Sequence, residues 1–323
     1  MAHFYDNFLN ALEERFPRKS DLVNALAELL PLEKESLYRR LRKEVYFSAE
    51  ETMLVAQAWN ISLDNILRIH QNKTRPFYSN MIEYVQPQEV DYHILERYNR
   101  DLRLFVQDPK GKRVEVITAL PRSLYSRSEP LTRLFTMKWL FKYGSAHDIM
   151  NFGNIQIPDR MRQLDLEYVR LMHEIPEIHS IHDSHIIERL IDDILYFRSI
   201  GLITEEEVIL LRDELLQLID FMERVTASGS FPGVRNKFFF YLSHTWLDTE
   251  YLLFESELQR WSFVRILERN SIASTDKKVF DKFMNVVQAT KRSSVLMSGS
   301  NALQQVEFFS RQRSLVSSMQ DAM

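Results

Sequence analysis

The chain of 323 residues contains no cysteine. Without thiols it can form no disulfide, no thiolate zinc site and no cysteine nucleophile. It also lacks any run approaching the roughly 18 apolar residues that a membrane-spanning helix needs. The first segment, MAHFYDNFLNALEERF, has acidic residues among its apolar ones and no uncharged core of signal-peptide length. These absences predict a soluble, cytoplasmic protein that does not enter a membrane.

Glycine is scarce, with only seven residues in the whole chain. Their positions form neither a dinucleotide-binding fingerprint nor a phosphate-cradling loop, because both motifs need closely spaced glycines ahead of a helix. A GxSxG nucleophile elbow is absent as well. No other constellation of catalytic side chains stands out. The sequence therefore predicts a protein that is not an enzyme and that holds no cofactor.

Two helices joined by a tight turn are predicted near the N-terminus. In KSDLVNALAELL, residues 19–30, apolar residues recur at helical spacing. Ser20 or Asp21 can cap the first turn, because a short oxygen side chain there accepts a hydrogen bond from a free backbone N–H. Pro31 ends this helix, since the residue before a proline disfavours the α conformation.

The second of these helices, EKESLYRRLRKE at residues 33–44, carries a cluster of basic residues. Leu37 and Leu41 mark its apolar side. The cations lie on the opposite side, at Lys34, Arg39, Arg40, Arg42 and Lys43. A helix inserted into the major groove needs cations for the phosphates and an apolar back that seats it on its neighbour. The pattern therefore predicts a helix-turn-helix DNA-binding unit.

Further helices are predicted on both sides of this pair. FYDNFLNALEERF at 4–16 is amphipathic, and SLDNILRI at 62–69 begins another helix. FSAEETMLVAQAW at 47–59 has Ser48 and Glu51 in the spacing of a capping box. The paired helices thus sit within a small bundle.

Taken together, these segments resemble the phage-repressor-like helix-turn-helix family of the xenobiotic-response-element type. The resemblance covers residues 1–70 and is carried by the helix order, the Ser-Ala-Glu-Glu cap and the ending VAQAWNISLDNIL at 55–67. It implies a sequence-specific transcription regulator that binds double-stranded DNA, as a homodimer, with the helix at 33–44 in the major groove. The groove-facing residues it implies are Lys34, Glu35, Ser36, Arg39 and Arg40. The phosphate contacts it implies come from Ser20, Arg42 and Lys43.

The chain departs from that family at two positions where glycine is usual. After the recognition helix it has Glu44, and in the turn between the two central helices it has the tripeptide at 30–32, Leu-Pro-Leu. A larger residue in a left-handed glycine position costs on the order of 1 kcal/mol. A fold can absorb that cost, so the helices are predicted more firmly than the turns.

An alternative function remains open at this point. Basic residues on a helix often form only a solvent-exposed face, and the first 75 residues balance positive charge against negative. DNA affinity would then depend on local placement and on dimerisation rather than on bulk charge. The alternative is a protein-interaction adaptor whose helical N-terminal module docks a partner protein.

The rest of the chain is predicted to be a linker at 71–88 followed by a larger domain at 89–323 that dimerises or senses a small-molecule or protein effector. Amphipathic patterns predict helices at 90–106, 129–143, 161–175, 185–201, 204–226, 275–293 and 302–319. The aromatic-rich stretch 237–267 could form short strands, and the turn-rich stretch 228–236 is a candidate sub-boundary. The predicted fold class is therefore mainly α.

A histidine-rich segment is the one candidate metal site. His179, His182 and His185 recur every three residues, with Asp183 and Glu188 nearby. Imidazoles one helical turn apart can share a cation. A preceding proline and the intervening serines instead favour a polar loop that enters a helix at His185. The sequence alone leaves metal binding open.

Overall fold

The computed structural model describes residues 2–16, 18–59, 61, 63–68, 77–145, 149–299 and 302–320. The chain divides into two compact units, Met1–Pro76 and Phe77–Met323. Residues 71–76 lie outside the described part, whereas residues 77–88 belong to the second unit, in which Tyr84 is almost fully buried. The candidate sub-boundary at 228–236 lies inside the second unit.

The first unit is a bundle of short helices. They are α1 (Ala2–Glu13), α2 (Lys19–Leu29), α3 (Lys34–Leu41), α4 (Ala49–Ala58) and α5 (Leu63–Arg68). The core is built from the apolar stripes of these helices, with Phe8, Leu26 and Leu37 wholly buried. The capping box predicted at the start of α4 is confirmed, since Ser48 and Glu51 exchange both hydrogen bonds.

The second unit combines helices with a large sheet. Its helices are α6 (Glu89–Gln107), α7 (Arg122–Tyr125), α8 (Glu129–Tyr143), α9 (Asp159–Glu174), α10 (Ile186–Ser199), α11 (Glu205–Ser228), α12 (Lys277–Arg292) and α13 (Ala302–Ser317). Its strands are β1 (Tyr78–Asn80), β2 (Lys112–Ile117), β3 (Glu177–Asp183), β4 (Lys237–Ser243), β5 (Tyr251–Glu255), β6 (Arg260–Ile266), β7 (Asn270–Ser274) and β8 (Val295–Leu296). Short 3₁₀ turns lie at Phe152–Asn154 and Ser318–Gln320.

The strands form one mixed sheet in the order β1-β7-β6-β5-β2-β3-β4-β8. The pairs β2–β3 and β3–β4 are parallel, and the other neighbours are antiparallel. Parallel neighbours need long crossover connections. Helices α7 to α9 connect β2 to β3, and α10 with α11 connects β3 to β4.

The prediction of a mainly α fold with short strands near 237–267 is wrong, because a sheet of eight strands runs through the second unit. The strands at β4, β5 and β6 fall where the aromatic-rich stretch allowed them. β2 and β3 were missed. One face of these strands carries Arg113, Glu115, Ser180 and His182, all nearly fully buried, where a core strand would be expected to be apolar. The sequence therefore favours a polar loop at β3 and predicts no element at β2.

The sheet is covered on both faces. One face packs against a large apolar core that draws on α8 to α11 and α13. The opposite face packs against α12 through Val114, Ile181 and Phe280. Side chains alternate along a strand, so successive residues of β3 enter different layers. Within the described residues, no helix is long and apolar enough to cross a bilayer.

This alternation separates the histidines of the candidate metal site. His179 and His182 are three residues apart on β3 and therefore point to opposite faces of the sheet. His185 stands at the start of α10, with its side chain half exposed. In the part of the chain that the structure describes, no group of three or more His, Asp or Glu side chains could hold a metal ion.

Candidate nucleic-acid interface

Helices α2 and α3 form a helix-turn-helix pair. The Leu30 N–H still donates to the Leu26 carbonyl, after which Leu30 turns to an extended conformation ahead of Pro31. Glu33, also extended, is the N-cap of α3. Leu37 and Leu41 are buried, which seats one side of α3 on the core. The helix is shorter than the predicted span of 33–44, because it ends at Leu41.

The end of α3 shows how the chain manages without the usual glycine. Lys43 adopts a left-handed conformation, with φ of 64°. Its N–H donates to the Arg40 carbonyl, and the N–H of Glu44 donates to the Arg39 carbonyl. These two bonds are those of a Schellman motif, whose left-handed position favours glycine. The left-handed residue is thus Lys43, one position before the Glu44 that the family resemblance pointed to.

Arg40 has a different environment from the other cations of α3. Its Nε and Nη2 donate to the two carboxylate oxygens of Glu51 at 3.0 and 2.9 Å. Its Nη1 donates to Ser36 Oγ at 2.7 Å. The two charged side chains are only 13% and 17% exposed. Arg40, expected among the groove-facing residues, therefore ties α3 to α4.

The contact with Arg40 also changes the pKa of Glu51. Burial on its own would raise the pKa of Glu51, but hydrogen bonds from Arg40 and from the Ser48 backbone lower it below its usual value. Glu51 therefore stays ionised while it serves two helices, as an N-terminal cap of α4 and as the counter-ion of Arg40.

The other four cations expected to contact DNA are exposed. Lys34, at the start of α3, donates to the side chain of Asn24 at 2.8 Å. Arg39 lies 3.4 Å from a Glu44 oxygen, and its side chain is 53% exposed. Past the end of the helix, Arg42 contacts Glu35 and Glu44. Lys43 contacts Asp6.

Acidic neighbours keep Arg42 and Lys43, the two cations that follow the end of α3, charged. The hydrogen bonds that Arg42 donates to Glu44 and Glu35 raise its pKa, and the hydrogen bond that Lys43 donates to Asp6 raises the pKa of Lys43. The same contact with Arg42 lowers the pKa of Glu44. Such pairs are solvent-exposed and contribute little to stability, so a phosphate oxygen can replace the carboxylate.

The remaining expected contacts have mixed surroundings. Glu35 is exposed on the first turn of α3, where its carboxylate meets Arg42. Ser36 is partly buried, with its hydroxyl engaged by Arg40. Ser20, in the first turn of α2, is exposed and lies 3.3 Å from an Asp21 oxygen. Of these three, Ser20 and Glu35 are exposed to solvent.

Comparison of the chain with protein-family models, curated proteins and solved structures found no match. The assignment of the site therefore rests on its residues alone. What the sequence did not reveal is the pairing of Arg40 with Glu51 across 11 positions. The capping-box spacing identified Glu51, but a carboxylate that caps one helix gives no sign in the sequence that it also binds the preceding one.

We expect Arg40→Ala to destabilise the first unit by about 2 kcal/mol, between the values for exposed and for buried ion pairs. The substitution leaves the partly buried Glu51 carboxylate without its guanidinium. Hydrogen exchange of α3 and α4 amides in the full-length chain measures this loss. Arg39→Ala is the matched control and should change stability by less than about 0.5 kcal/mol. Equal protection in the two variants would contradict the structural role of Arg40.

Proposed function

We propose that the chain is a sequence-specific DNA-binding transcription regulator that inserts α3 into the major groove. The observation that carries the proposal is the placement of Lys34, Arg39, Arg42 and Lys43. All four are exposed on α3 or its C-terminal turn, while Leu37 and Leu41 of the same helix are buried. In helix-turn-helix proteins the second helix contacts base edges with its N-terminal part. Lys34 and Arg39 are therefore assigned to the groove, and Arg42 and Lys43 to phosphates.

The net charge of the first unit contributes nothing to the proposed affinity for DNA. Residues 1–76 contain eleven Lys and Arg and eleven Asp and Glu. Affinity must then come from the local placement of the cations, and from the second half-site that a homodimer would supply. The second unit is accordingly assigned to dimerisation or to effector sensing, with no catalysis, and the protein to the cytoplasm.

We expect Arg39→Ala and Lys34→Ala each to weaken binding to a cognate duplex by about 1–3 kcal/mol. If the lost contact is to a phosphate, the slope of log K against log salt should also fall by about one. Fluorescence anisotropy at several salt concentrations measures both quantities. Arg103→Ala, which removes an exposed arginine of the second unit, is the control and should leave affinity unchanged.

The second candidate function is a protein-interaction adaptor. It is favoured by the acids that stand among the cations, above all Glu35, whose side chain is 73% exposed. An adaptor would use this mixed surface to meet a partner protein of complementary charge. Duplex binding that is weak, insensitive to sequence and unaffected by Arg39→Ala would favour the adaptor over the regulator.

A further inference from the structure

The second unit contains a cavity between the sheet and its covering helices. It lies among β3, β4, α10, α11 and α13, has a volume of about 50 Å³ and opens to solvent on one side. Most of its lining is apolar, including Leu124, Ile186, Leu218, Met222, Phe240 and Phe308. Its lining also includes polar side chains, among them Gln312 of α13 and His182 of β3.

Gln312 has a buried side-chain oxygen with no hydrogen-bond partner among the described groups. The residue is 3% exposed, and its Oε1 accepts no hydrogen bond from any described group. A buried acceptor left in this way costs roughly 1–3 kcal/mol. Gln305, on the same helix, shows the ordinary arrangement, because its amide donates to the Met297 carbonyl. The Oε1 of Gln312 is therefore an acceptor in a residue of the cavity lining that still lacks a hydrogen-bond donor.

His182, which also lines the cavity, has an unused acceptor as well. Its Nε2 lies 2.8 Å from Ser180 Oγ, which lies 2.6 Å from a Glu115 oxygen. An ionised carboxylate only accepts, so the serine hydroxyl donates to Glu115, and the serine oxygen accepts from Nε2–H. Nδ1 then carries the lone pair. Within the described residues, no group hydrogen-bonds to this nitrogen.

The imidazole is neutral. Burial, together with the nearby charge of Arg113, lowers the pKa of His182 to about 3. The one ionised side chain of the lining, Asp183, is already engaged by Arg189 and by the backbone N–H of His185. The cavity therefore offers two uncharged acceptors on apolar walls and no free charge to bind an ion.

We propose that this cavity is a binding site for a small, uncharged, mostly apolar molecule that carries a hydroxyl or N–H donor. The donor would reach Gln312 Oε1 or His182 Nδ1, and the apolar part would pack against Leu218 and Met222. A space of this size has room for about four waters, since one water needs about 10–15 Å³. The part of the ligand that enters is therefore no larger than about one ring. The inference does not depend on DNA binding.

The test compares two probes of the same shape, 4-fluorophenol and 1,4-difluorobenzene, which differ only in the donor. Titration of each into the full-length protein is followed by ¹⁹F NMR. We expect 4-fluorophenol to bind about tenfold more tightly, the factor that corresponds to one net hydrogen bond. Equal affinities, or no binding of either probe, would overturn the inference.

Three variants locate the site. Gln312→Leu should reduce the preference for 4-fluorophenol several-fold while binding of 1,4-difluorobenzene persists. Ile219→Phe, which fills the cavity, should abolish binding of both probes. Gln305→Leu is the matched control, a glutamine of the same helix that does not line the cavity, and should leave the preference intact. If Gln305→Leu acts as strongly as Gln312→Leu, or if Ile219→Phe still binds, the cavity is not the site. Circular dichroism verifies that each variant is folded.

Discussion

Arg122→Met is expected to lower the free energy of unfolding of the second unit by about 3–5 kcal/mol, the usual result of removing one partner of a buried ion pair. Arg122 donates from Nε and Nη2 to one oxygen of Asp165. The two side chains are 10% and 1% exposed. The guanidinium also lies 4.5 Å from the centre of the Tyr168 ring. Without it, Asp165 would be a buried carboxylate with no counter-ion.

Chemical denaturation of the full-length chain, followed by tryptophan fluorescence, measures the effect. Arg170→Met is the control, because Arg170 forms an exposed ion pair one turn along a helix with Glu174 and should change stability by less than about 0.5 kcal/mol. The double variant Arg122→Met, Asp165→Leu should regain most of the loss, since it leaves no charge unpaired. A double variant as unstable as the single one would refute the ion-pair explanation.

Acid is expected to destabilise the second unit through its buried histidines. Burial lowers the pKa of His173 and of His182 to about 3, and that of His179 to about 4. His173 is stacked on Phe231 at 3.9 Å, and its Nε2 has no partner among the described groups. The unfolded chain binds protons at these sites below about pH 6.5, whereas the folded chain does not.

Stability should therefore be highest above pH 6.5 and fall as the pH drops from 6.5 towards 3. Between pH 6.5 and pH 5 the expected loss is about 2 kcal/mol for each such histidine. Denaturation midpoints across this range measure the slope. His173→Leu should reduce the slope of stability against pH by the contribution of one proton, whatever the variant does to stability at pH 7. A slope unchanged by this substitution would mean that His173 is protonated in the folded state.

The helices of the second unit could be predicted closely, because their signals are local. The pattern at 129–143 predicted the observed bounds of α8, and Thr204 caps α11 as the sequence indicated. The strands β2 and β3 could not be found in the same way. Arg113, Glu115, Ser180 and His182 are buried because they satisfy one another across two strands, and that pairing exists only once the sheet has formed.

The candidate interface could be predicted only in part, because one of its contacts joins residues far apart in sequence. The apolar spacing of Leu37 and Leu41 identified the buried side of α3, and the side opposite them carries exposed cations. The same spacing puts Arg39 directly opposite the leucines and Arg40 nearer to them, but it does not show what Arg40 contacts. Only the position of Glu51 on α4 makes Arg40 a structural residue. Long-range charge pairs of this kind leave no periodic signal.

The central claim is that the exposed cations of α3 and its C-terminal turn recognise DNA. Selection of bound fragments from random duplexes, with the full-length chain and a Lys34→Ala, Arg39→Ala, Arg42→Ala variant, tests it most directly. The proposal predicts that the native chain enriches a two-fold symmetric site with half-sites about one helical turn apart, and that the variant enriches none. Failure of the native chain to enrich any sequence, or the same site recovered by the variant, would contradict it.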